Sequence, residues 1–342
     1  RRGHGWEQPS QLPALGTLFP FDCVGYLGHP IGVMHIRLSQ KPVGLALGGG
    51  GARGMAHVGV LRALRRYPRL YPTLIAGTSA GSVIGALYAG GVSQERLEEI
   101  VIDLDWFSHV IRLGDMVGIK ERQKGGLFPN TRLGDLVNEE LQGRGFSDLE
   151  RDLAVIATDV EKRRRIIFTS PRVASRIDRG ILRDFLPPPR ESRPGVETVI
   201  VSDVEDVGAA VRASSAVPGA FMPVEVRGMR LLDGGLVDQT PVDVVRAMGA
   251  RVAIGVSLGL SFMPQQMNSL MSAISATIGT LGVHQLWRSL ELADIGFEVE
   301  GIQGRSPVKP RQVDLIHIGE KDAERWFRAF TRRPGWMPRI TG

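Results

Sequence analysis

Three short segments of the chain carry residue types that can act together in catalysis. A glycine run extends from Gly48 to Gly54, a serine stands between two glycines in Gly77–Gly81, and Asp233 precedes two glycines. The bare N–H groups of a glycine turn can stabilise an anion, an exposed serine can act as a nucleophile, and a carboxylate can take the serine's proton. Together the segments predict cleavage of an ester through an acyl-enzyme, although none is specific alone.

The chain contains two G-x-S-x-G segments, and their contexts differ. Ser79 follows a short apolar run and precedes a helix of small residues, which is the strand-turn-helix context of a nucleophile elbow. Ser257 ends an apolar run and is followed by Leu258, Leu260 and Phe262, with no sign of a helix. The sequence therefore favours Ser79 as the nucleophile and a structural role for Ser257.

The glycine run has a rival interpretation, because residues 49–54 also match G-x-G-x-x-G. That dinucleotide-binding fingerprint needs an acidic residue about 20 positions further on to hold the ribose. No Asp or Glu occurs between Gly54 and Gln94, and no Gly-Lys-Ser/Thr follows the glycines, so a P-loop is not indicated either. An oxyanion-stabilising turn remains, with a tight turn that binds nothing as the simpler alternative.

Two residues are candidates for the base that activates Ser79. Asp233 ends a predicted strand and enters a two-glycine turn, although an ordinary turn aspartate would look the same. His317 lies in a run that predicts a strand over 313–318, where a Ser-His-Asp triad would place its histidine. The alternating pattern of that run also suits a half-buried structural histidine, so Asp233 is the better placed candidate.

Strand and helix patterns alternate along the chain, which predicts an α/β fold with a mostly parallel sheet. A capping-box spacing predicts a helix that starts at Ser202 and runs toward Ser215, and the basic cluster Lys162–Arg165 is interpreted as a solvated hairpin tip. The other predicted strands cover 43–47, 73–76, 153–158, 165–169, 230–232 and 251–257. The other predicted helices cover 55–64, 80–89, 94–106, 132–141 and 242–248.

Composition limits the classes of protein that need to be considered. With 342 residues and 43% hydrophobic content, the chain can bury one large core or two modest ones. The single cysteine, Cys23, excludes an internal disulfide framework. Because neither a membrane-spanning run nor a signal peptide is apparent, we expect a cytoplasmic protein. Residues 1–41 are interpreted as an irregular extension, and the organised domain is predicted to start near Lys41.

Charge and hydropathy patterns leave two surfaces open to interpretation. Residues 1–90 carry nine basic and two acidic side chains. Such a surface attracts lipid headgroups or nucleic acid, but a solvated helix face is the simpler explanation for Arg62–Arg69. The stretch 261–287 has no charged residue and places apolar side chains at helical spacing. It could rest on a bilayer or cover an acyl chain, while packing against the core or a second subunit is the alternative.

The three motifs GGGGARG, GTSAG and DGG, in this order and at roughly this spacing, resemble those of the bacterial patatin-like phospholipase family. The segment 212–224 is similar to the family's helix and turn before its aspartate, and Pro241–Asp243 is similar to the family's segment after that aspartate. The resemblance covers about residues 41–259. It implies a three-layer patatin-like domain over 42–342, with the motifs in 42–259 and a C-terminal part in 260–342.

The same resemblance implies roles for individual residues. Ser79 would be the nucleophile and Asp233 its base, in a dyad without histidine. Arg53 would lie beside the oxyanion hole and could steer a phosphate or carboxylate, although a structural ion pair would suit it equally. The oxyanion hole would be formed by the amides of Gly49, Gly50 and Gly51, with help from Ala80.

The function implied by the resemblance is hydrolysis of acyl esters in phospholipids or lysophospholipids, without a metal or cofactor. No nucleic-acid partner is expected, peripheral contact with a membrane stays open, and the oligomeric state is not predicted. A general carboxylesterase with a Ser-His-Asp triad and a catalytically inactive lipid-binding module are the alternatives. Residues 176–200 look longer than the family's usual connection, and Asp238-Gln239-Thr240 stands where an asparagine is often seen, so the choice of lipid is open.

Overall fold

The short apolar runs form a sheet that is covered by helices on both faces. The computed structural model describes residues 42–103, 128–182, 196–259, 277, 280, 282, 285–302 and 312–333, all of which belong to the unit Arg37–Gly342. The predictions for residues 1–41 and for most of 261–287 lie outside the described residues.

Nine strands form one sheet in the described part of the chain, in the order β5-β4-β3-β2-β1-β8-β9, with β7 pairing β3 and β6. Neighbours are parallel except for the pairs β3–β4, β3–β7 and β6–β7. The predicted, mostly parallel sheet is therefore confirmed. The strands are β1 (Val43–Leu47), β2 (Leu74–Thr78), β3 (Asp152–Asp159), β4 (Arg164–Thr169), β5 (Glu197–Val201), β6 (Val224–Val226), β7 (Met229–Asp233), β8 (Val252–Ser257) and β9 (Ile295–Glu298).

Helices lie on both faces of this sheet and complete a three-layer arrangement. In β1, Leu45 belongs to an apolar cluster that includes Val58 and Val83, whereas Ala46 belongs to a second cluster that includes Val244. Successive residues of a strand point to opposite faces, so the clusters are the two cores on either side of the sheet. The helices with both ends in the described residues are α1 (Ala56–Leu64), α2 (Ala80–Ala89), α3 (Gln94–Asp103), α4 (Thr131–Glu140), α5 (Pro171–Ala174), α6 (Val207–Ser214), α7 (Val242–Ala247) and α8 (Gln312–Thr331). Residues 285–290 are helical as well. Short 3₁₀ turns cover Gly51–Met55, Pro68–Leu70, Phe146–Asp148, Gly234–Leu236 and Glu300–Ile302.

The predicted strand over 313–318 is wrong, because this run forms the beginning of the 20-residue helix α8. Six residues are too few to separate the two periods, whereas the whole helix buries Leu315, Gly319, Ala323 and Phe327 at helical spacing. Glycine allows the helix to pack closely on α1, since a methyl group built on Gly59 would lie 1.8 Å from the Ile316 carbonyl oxygen.

Two further local predictions are corrected by the structure. The helix predicted from Ser202 begins at Val207 instead, because the Asp206 side chain accepts from the Ala209 N–H and caps it. The hairpin between β3 and β4 is confirmed, but Arg165 in its basic cluster is buried rather than solvated.

Candidate active site

Ser79 is the single residue between the end of β2 and the start of α2. Its backbone has φ 51° and ψ −124°, a strained conformation for a residue with a side chain. Its two flanking glycines are required by space. A methyl group built on Gly77 would lie 2.6 Å from Ser82 Cα, and one built on Gly81 would lie 2.1 Å from the Leu47 carbonyl oxygen. The G-x-S-x-G spacing is therefore a packing requirement of this turn.

Hydrogen bonds hold the strained backbone of Ser79 on both sides. Its N–H donates to Ser214 Oγ at 2.8 Å, and its carbonyl oxygen accepts from the Ser82 hydroxyl at 2.6 Å. The sequence does not predict this role for Ser214, which ends α6 and lies 135 residues away. A buried serine in a helix of mostly apolar residues is the one local signal that could have indicated it.

Strand register brings Asp233 to Ser79. In the parallel pair β2–β3, Thr78 lies opposite Ile156, and in the antiparallel pair β3–β7, Asp233 lies opposite the next residue, Ala157. Both predicted site residues therefore stand at the same end of β3. The Ser79 hydroxyl donates to Asp233 Oδ2 at 2.6 Å across a sequence separation of 154 residues.

The Asp233 carboxylate is held by a second hydrogen bond and is shielded from water. Its Oδ1 accepts from the Gly235 N–H at 2.8 Å, and the Asp233 carbonyl oxygen accepts from the Thr158 hydroxyl at 2.9 Å. Burial raises the pKa of the Asp233 carboxyl from 3.8 to about 6, although the hydrogen bonds from Ser79 and Gly235 oppose the shift. A carboxylate with this pKa is a stronger base than an exposed aspartate and is still ionised at neutral pH.

In the glycine loop that follows β1, some backbone N–H groups donate to carbonyl oxygens of the protein and others have no acceptor among the described residues. The Gly48 N–H donates to the Val256 carbonyl at 2.9 Å, and the Gly49 N–H donates to the Gln239 carbonyl at 3.1 Å. Among the described residues, nothing accepts from the N–H groups of Gly50 and Gly51, nor from that of Ala80 at the start of α2. Gly49 would have to give up its bond to Gln239 before it could serve an oxyanion.

Two buried side chains hold this loop in place. His57 Nε2 lies 2.8 Å from the Gly48 carbonyl oxygen, and burial lowers the His57 pKa to about 4, so that the neutral ring donates this bond. Arg53 is 7% exposed, and its Nε donates to the Gly50 carbonyl at 3.4 Å. Burial lowers the pKa of Arg53, while the charge of Glu298 opposes the shift. Arg53 thus contacts the loop backbone, and its predicted contact with substrate stays a prediction.

His317 does not take part in this arrangement. It lies on α8 with 75% of its side chain exposed, and its nearest acidic partner is Glu320 at 4.0 Å. In the described ranges His57 is the other histidine, and its Nε2 faces the Gly48 carbonyl. The placement of His317 at a strand end is therefore wrong, and the described residues contain no Ser-His-Asp triad. They also contain no group of three or more His, Cys, Asp or Glu side chains that could hold a metal ion.

A buried ion cluster anchors the turn that follows Asp233. Arg165 Nη1 donates to Asp238 Oδ2 and to Asp243 Oδ2, both at 2.9 Å, and the Asp238 carbonyl accepts from the Thr78 hydroxyl at 2.9 Å. Burial and the neighbouring charge of Asp243 raise the pKa of Asp238 to about 7, against the opposing charge of Arg165. The cluster joins β4, the turn and α7, and links the turn to the residue before Ser79.

Comparison with known proteins places this geometry in a family. The model of the family described as Patatin-like phospholipase matches residues 45–246, from β1 into α7. The chain belongs to the patatin-like phospholipase family. The match contains the glycine loop, Ser79, Ser214 and Asp233, so the family segment and the site described above coincide.

Relatives of this patatin-like protein occur in bacteria and eukaryotes. The chain is 31% identical over 232 residues to the uncharacterized NTE family protein Rv1063c of Mycobacterium tuberculosis, covering 66% of this chain and 51% of that protein. It is 30% identical over 232 residues to Lysophospholipase NTE1 of Saccharomyces cerevisiae, covering 65% of this chain and 11% of that protein. The chain thus spans about half of the mycobacterial relative and a small part of the yeast one. Within the described residues, no helix is long and apolar enough to cross a membrane.

Proposed function

We propose that this protein is a lipid acyl hydrolase that cleaves carboxylic esters of phospholipids or lysophospholipids through an acyl-enzyme on Ser79. The hydrogen bond of 2.6 Å from the Ser79 hydroxyl to Asp233 Oδ2 carries the proposal. It pairs a nucleophile on a strained elbow with a buried base. Membership of the patatin-like phospholipase family supports a lipid ester as substrate, and the name of the yeast relative supports a lysophospholipid among the candidates.

In the proposed first half-reaction, Asp233 takes the proton of the Ser79 hydroxyl while Oγ attacks the ester carbonyl carbon. The tetrahedral intermediate collapses as the C–O bond to the alcohol breaks, and Asp233 returns its proton to the departing alcohol oxygen. In the second half-reaction Asp233 deprotonates a water molecule, which attacks the acyl carbon. The bond from that carbon to Ser79 Oγ then breaks, Asp233 returns the proton to Oγ, and the fatty acid is released. A raised carboxyl pKa suits these steps because one group must accept and then release a proton.

The negative charge that develops on the carbonyl oxygen needs donors that are already oriented. We assign this role to the N–H groups of Gly50 and Gly51, with that of Ala80 at the start of α2. They have no acceptor among the described residues, and they belong to the segments on either side of Ser79. Gly49 is the weakest of the four predicted donors, because its N–H is bonded to the Gln239 carbonyl.

Product analysis tests this function directly. Purified protein is incubated with vesicles of mixed phospholipids and lysophospholipids, and the released products are identified by mass spectrometry for the wild type, Ser79→Ala and Ser257→Ala. We expect fatty-acid release by the wild type and by Ser257→Ala, and none by Ser79→Ala. Release that persists in Ser79→Ala would contradict the proposal, and the products would name the preferred lipid.

A single variant can distinguish the proposed dyad enzyme from the alternative, an esterase with a Ser-His-Asp triad. Because His317 is exposed on α8, we expect His317→Ala to retain the wild-type rate with p-nitrophenyl butyrate. A folded but inactive His317→Ala protein would favour the triad over the Ser79–Asp233 dyad.

A further inference from the structure

Gln239 lies in the turn after Asp233 and contacts the glycine loop. Its carbonyl oxygen accepts from the Gly49 N–H at 3.1 Å. The preceding residue, Asp238, is fixed by Arg165 and by the Thr78 hydroxyl. The backbone of Gln239 is thus held rigidly between the two motifs that form the site.

The side chain of Gln239 fills the space between the glycine loop and the base. A methyl group built on Gly49 would lie 3.0 Å from Gln239 Nε2 and 3.3 Å from Ser79 Cβ. A methyl group built on Gly235 would lie 2.5 Å from Gln239 Oε1 and 3.1 Å from Asp233 Oδ1. The amide nitrogen therefore lies on the side of the nucleophile, and the amide oxygen lies on the side of the base.

The Gln239 side chain is largely buried, but its carboxamide atoms keep contact with solvent. Gln239 is 8% exposed, and within the ranges that the structure describes its side-chain nitrogen and oxygen have no hydrogen-bond partner. An amide in this position forms its hydrogen bonds with water when no ligand is bound. Because its Nε2 lies close to Ser79, this amide can exchange the water for an oxygen atom of a bound ester.

We propose that Gln239 is a further catalytic residue, whose Nε2–H donates to the oxyanion formed when Ser79 attacks the ester carbonyl. The inference rests on the proposed function and deepens it. The Gln239 carbonyl takes the Gly49 N–H out of the oxyanion hole, and the side chain of the same residue supplies a donor close by. The amide gives up no proton; its hydrogen bond strengthens as the carbonyl oxygen becomes negative. It therefore acts mainly on kcat rather than on KM.

Replacement by methionine, which has nearly the same size but no donor, tests this role. Rates of hydrolysis of p-nitrophenyl butyrate are measured from pH 5 to 8 for the wild type, Gln239→Met, Gln239→Glu and the loop control Val237→Ala. Loss of one oxyanion donor costs about 10²-fold in kcat, so we expect Gln239→Met to lose about 10²-fold in kcat with little change in KM. Gln239→Glu should lose at least as much, because it places negative charge beside the oxyanion, whereas Val237→Ala should stay close to the wild type.

The outcomes separate this inference from the proposed function. A wild type whose turnover does not depend on Ser79 would overturn both. If turnover depends on Ser79 but Gln239→Met keeps the wild-type kcat, the proposed function stands and only the role of Gln239 is overturned. In a third outcome, Gln239→Met shifts the acid side of the pH profile but keeps the wild-type kcat at higher pH. Gln239 would then act on the pKa of Asp233 rather than on the oxyanion, and the inference would also be overturned. Melting curves establish that each variant is folded, and Gln239→Glu decides the question if the methionine variant does not fold.

Discussion

The two G-x-S-x-G segments stand at the same edge of the sheet and have different environments. β1 pairs in parallel with β2 on one side and with β8 on the other. Ser79, which follows β2, and Ser257, which ends β8, therefore lie on either side of the C-terminal end of β1. Ser79 stands in a strained turn before a helix and donates to a carboxylate. Ser257 is the last residue of β8, and its hydroxyl oxygen accepts from the Gly259 N–H at 3.1 Å.

This difference shows what the short motif leaves unspecified. Glycine spacing permits a tight approach of backbones, but the reactive serine also needs an elbow and a base. The proposed base, Asp233, lies on β7 and reaches Ser79 through the pairing of β7 with β3, across 154 residues of the chain. Ser257 instead uses its hydroxyl to hold the turn that ends β8. Four substitutions or conditions test this contrast, in order of expected effect.

Removing the base should cause the largest loss after removal of the nucleophile. Asn at position 233 keeps the shape and can still accept from the Gly235 N–H, but it cannot take a proton from Ser79. General-base catalysis contributes about 10²- to 10⁴-fold, so we expect Asp233→Asn to lower kcat about 10³-fold with p-nitrophenyl butyrate. An activity within tenfold of the wild type, in a protein with an unchanged melting curve, would mean that Asp233 is not the base.

Acid should inactivate the enzyme through the same carboxylate. Burial raises the Asp233 pKa to about 6, and the protonated form cannot accept the serine proton. Activity is therefore present above this pH and lost below it, with kcat/KM falling about tenfold per pH unit on the acid side. A pH profile of ester hydrolysis measures this limb. A limb centred near 4, the range of an exposed aspartate, would contradict the raised pKa.

The hydrogen bond from the Ser79 N–H to Ser214 should contribute less than the base. Ser214→Ala leaves a buried donor without its acceptor, which destabilises the folded protein by about 1–3 kcal/mol. Because the bond also holds the backbone that carries the nucleophile, we expect kcat to fall by roughly tenfold, which corresponds to about 1.4 kcal/mol in the activation free energy. The neighbour Ser215 is the matched control, because its buried hydroxyl has no partner among the described residues. If Ser214→Ala and Ser215→Ala have equal rates, the bond does not position Ser79.

The smallest effect is expected at the second motif. Ser257→Ala removes one hydrogen bond to the Gly259 N–H, which stabilises a protein by about 0.5–1.5 kcal/mol. We expect a slightly lower melting temperature and a rate with p-nitrophenyl butyrate within twofold of the wild type. A loss comparable to that of Ser79→Ala would erase the distinction between the two segments.

The sequence predicted the central part of the fold because its signals are local. The apolar runs of β1 and β2, the glycines around Ser79 and the small residues of α2 each specify their own conformation. Three short strands, β5, β6 and β9, are not predicted from the sequence. They are identified by their pairing with the neighbouring strands β4, β7 and β8. The run that begins α8 is predicted as a strand because six residues are too few to show the helical period. Which of its side chains are buried depends on the packing of the whole helix against α1.

The site was predictable as far as its chemistry follows from residue type. Ser79 and Asp233 were predicted from motifs, and the structure brings them together. The positions of Ser214 and Gln239 follow from long-range packing, and the only local signal for either is a serine in the mostly apolar helix α6. Arg165 was interpreted as exposed because it follows three basic residues at a hairpin, yet β4 turns its side chain inward to Asp238 and Asp243. The bond from the Gly49 N–H to Gln239 likewise depends on a contact between distant segments.

Covalent labelling tests the central claim most directly. The protein is treated with a fluorophosphonate, which modifies activated serines, and the labelled peptide is sequenced by mass spectrometry for the wild type and Asp233→Asn. We predict a single adduct on Ser79, none on Ser257, and a labelling rate that falls sharply in Asp233→Asn. Labelling of Ser257, or equally fast labelling of Ser79 without the Asp233 carboxylate, would contradict the Ser79–Asp233 dyad.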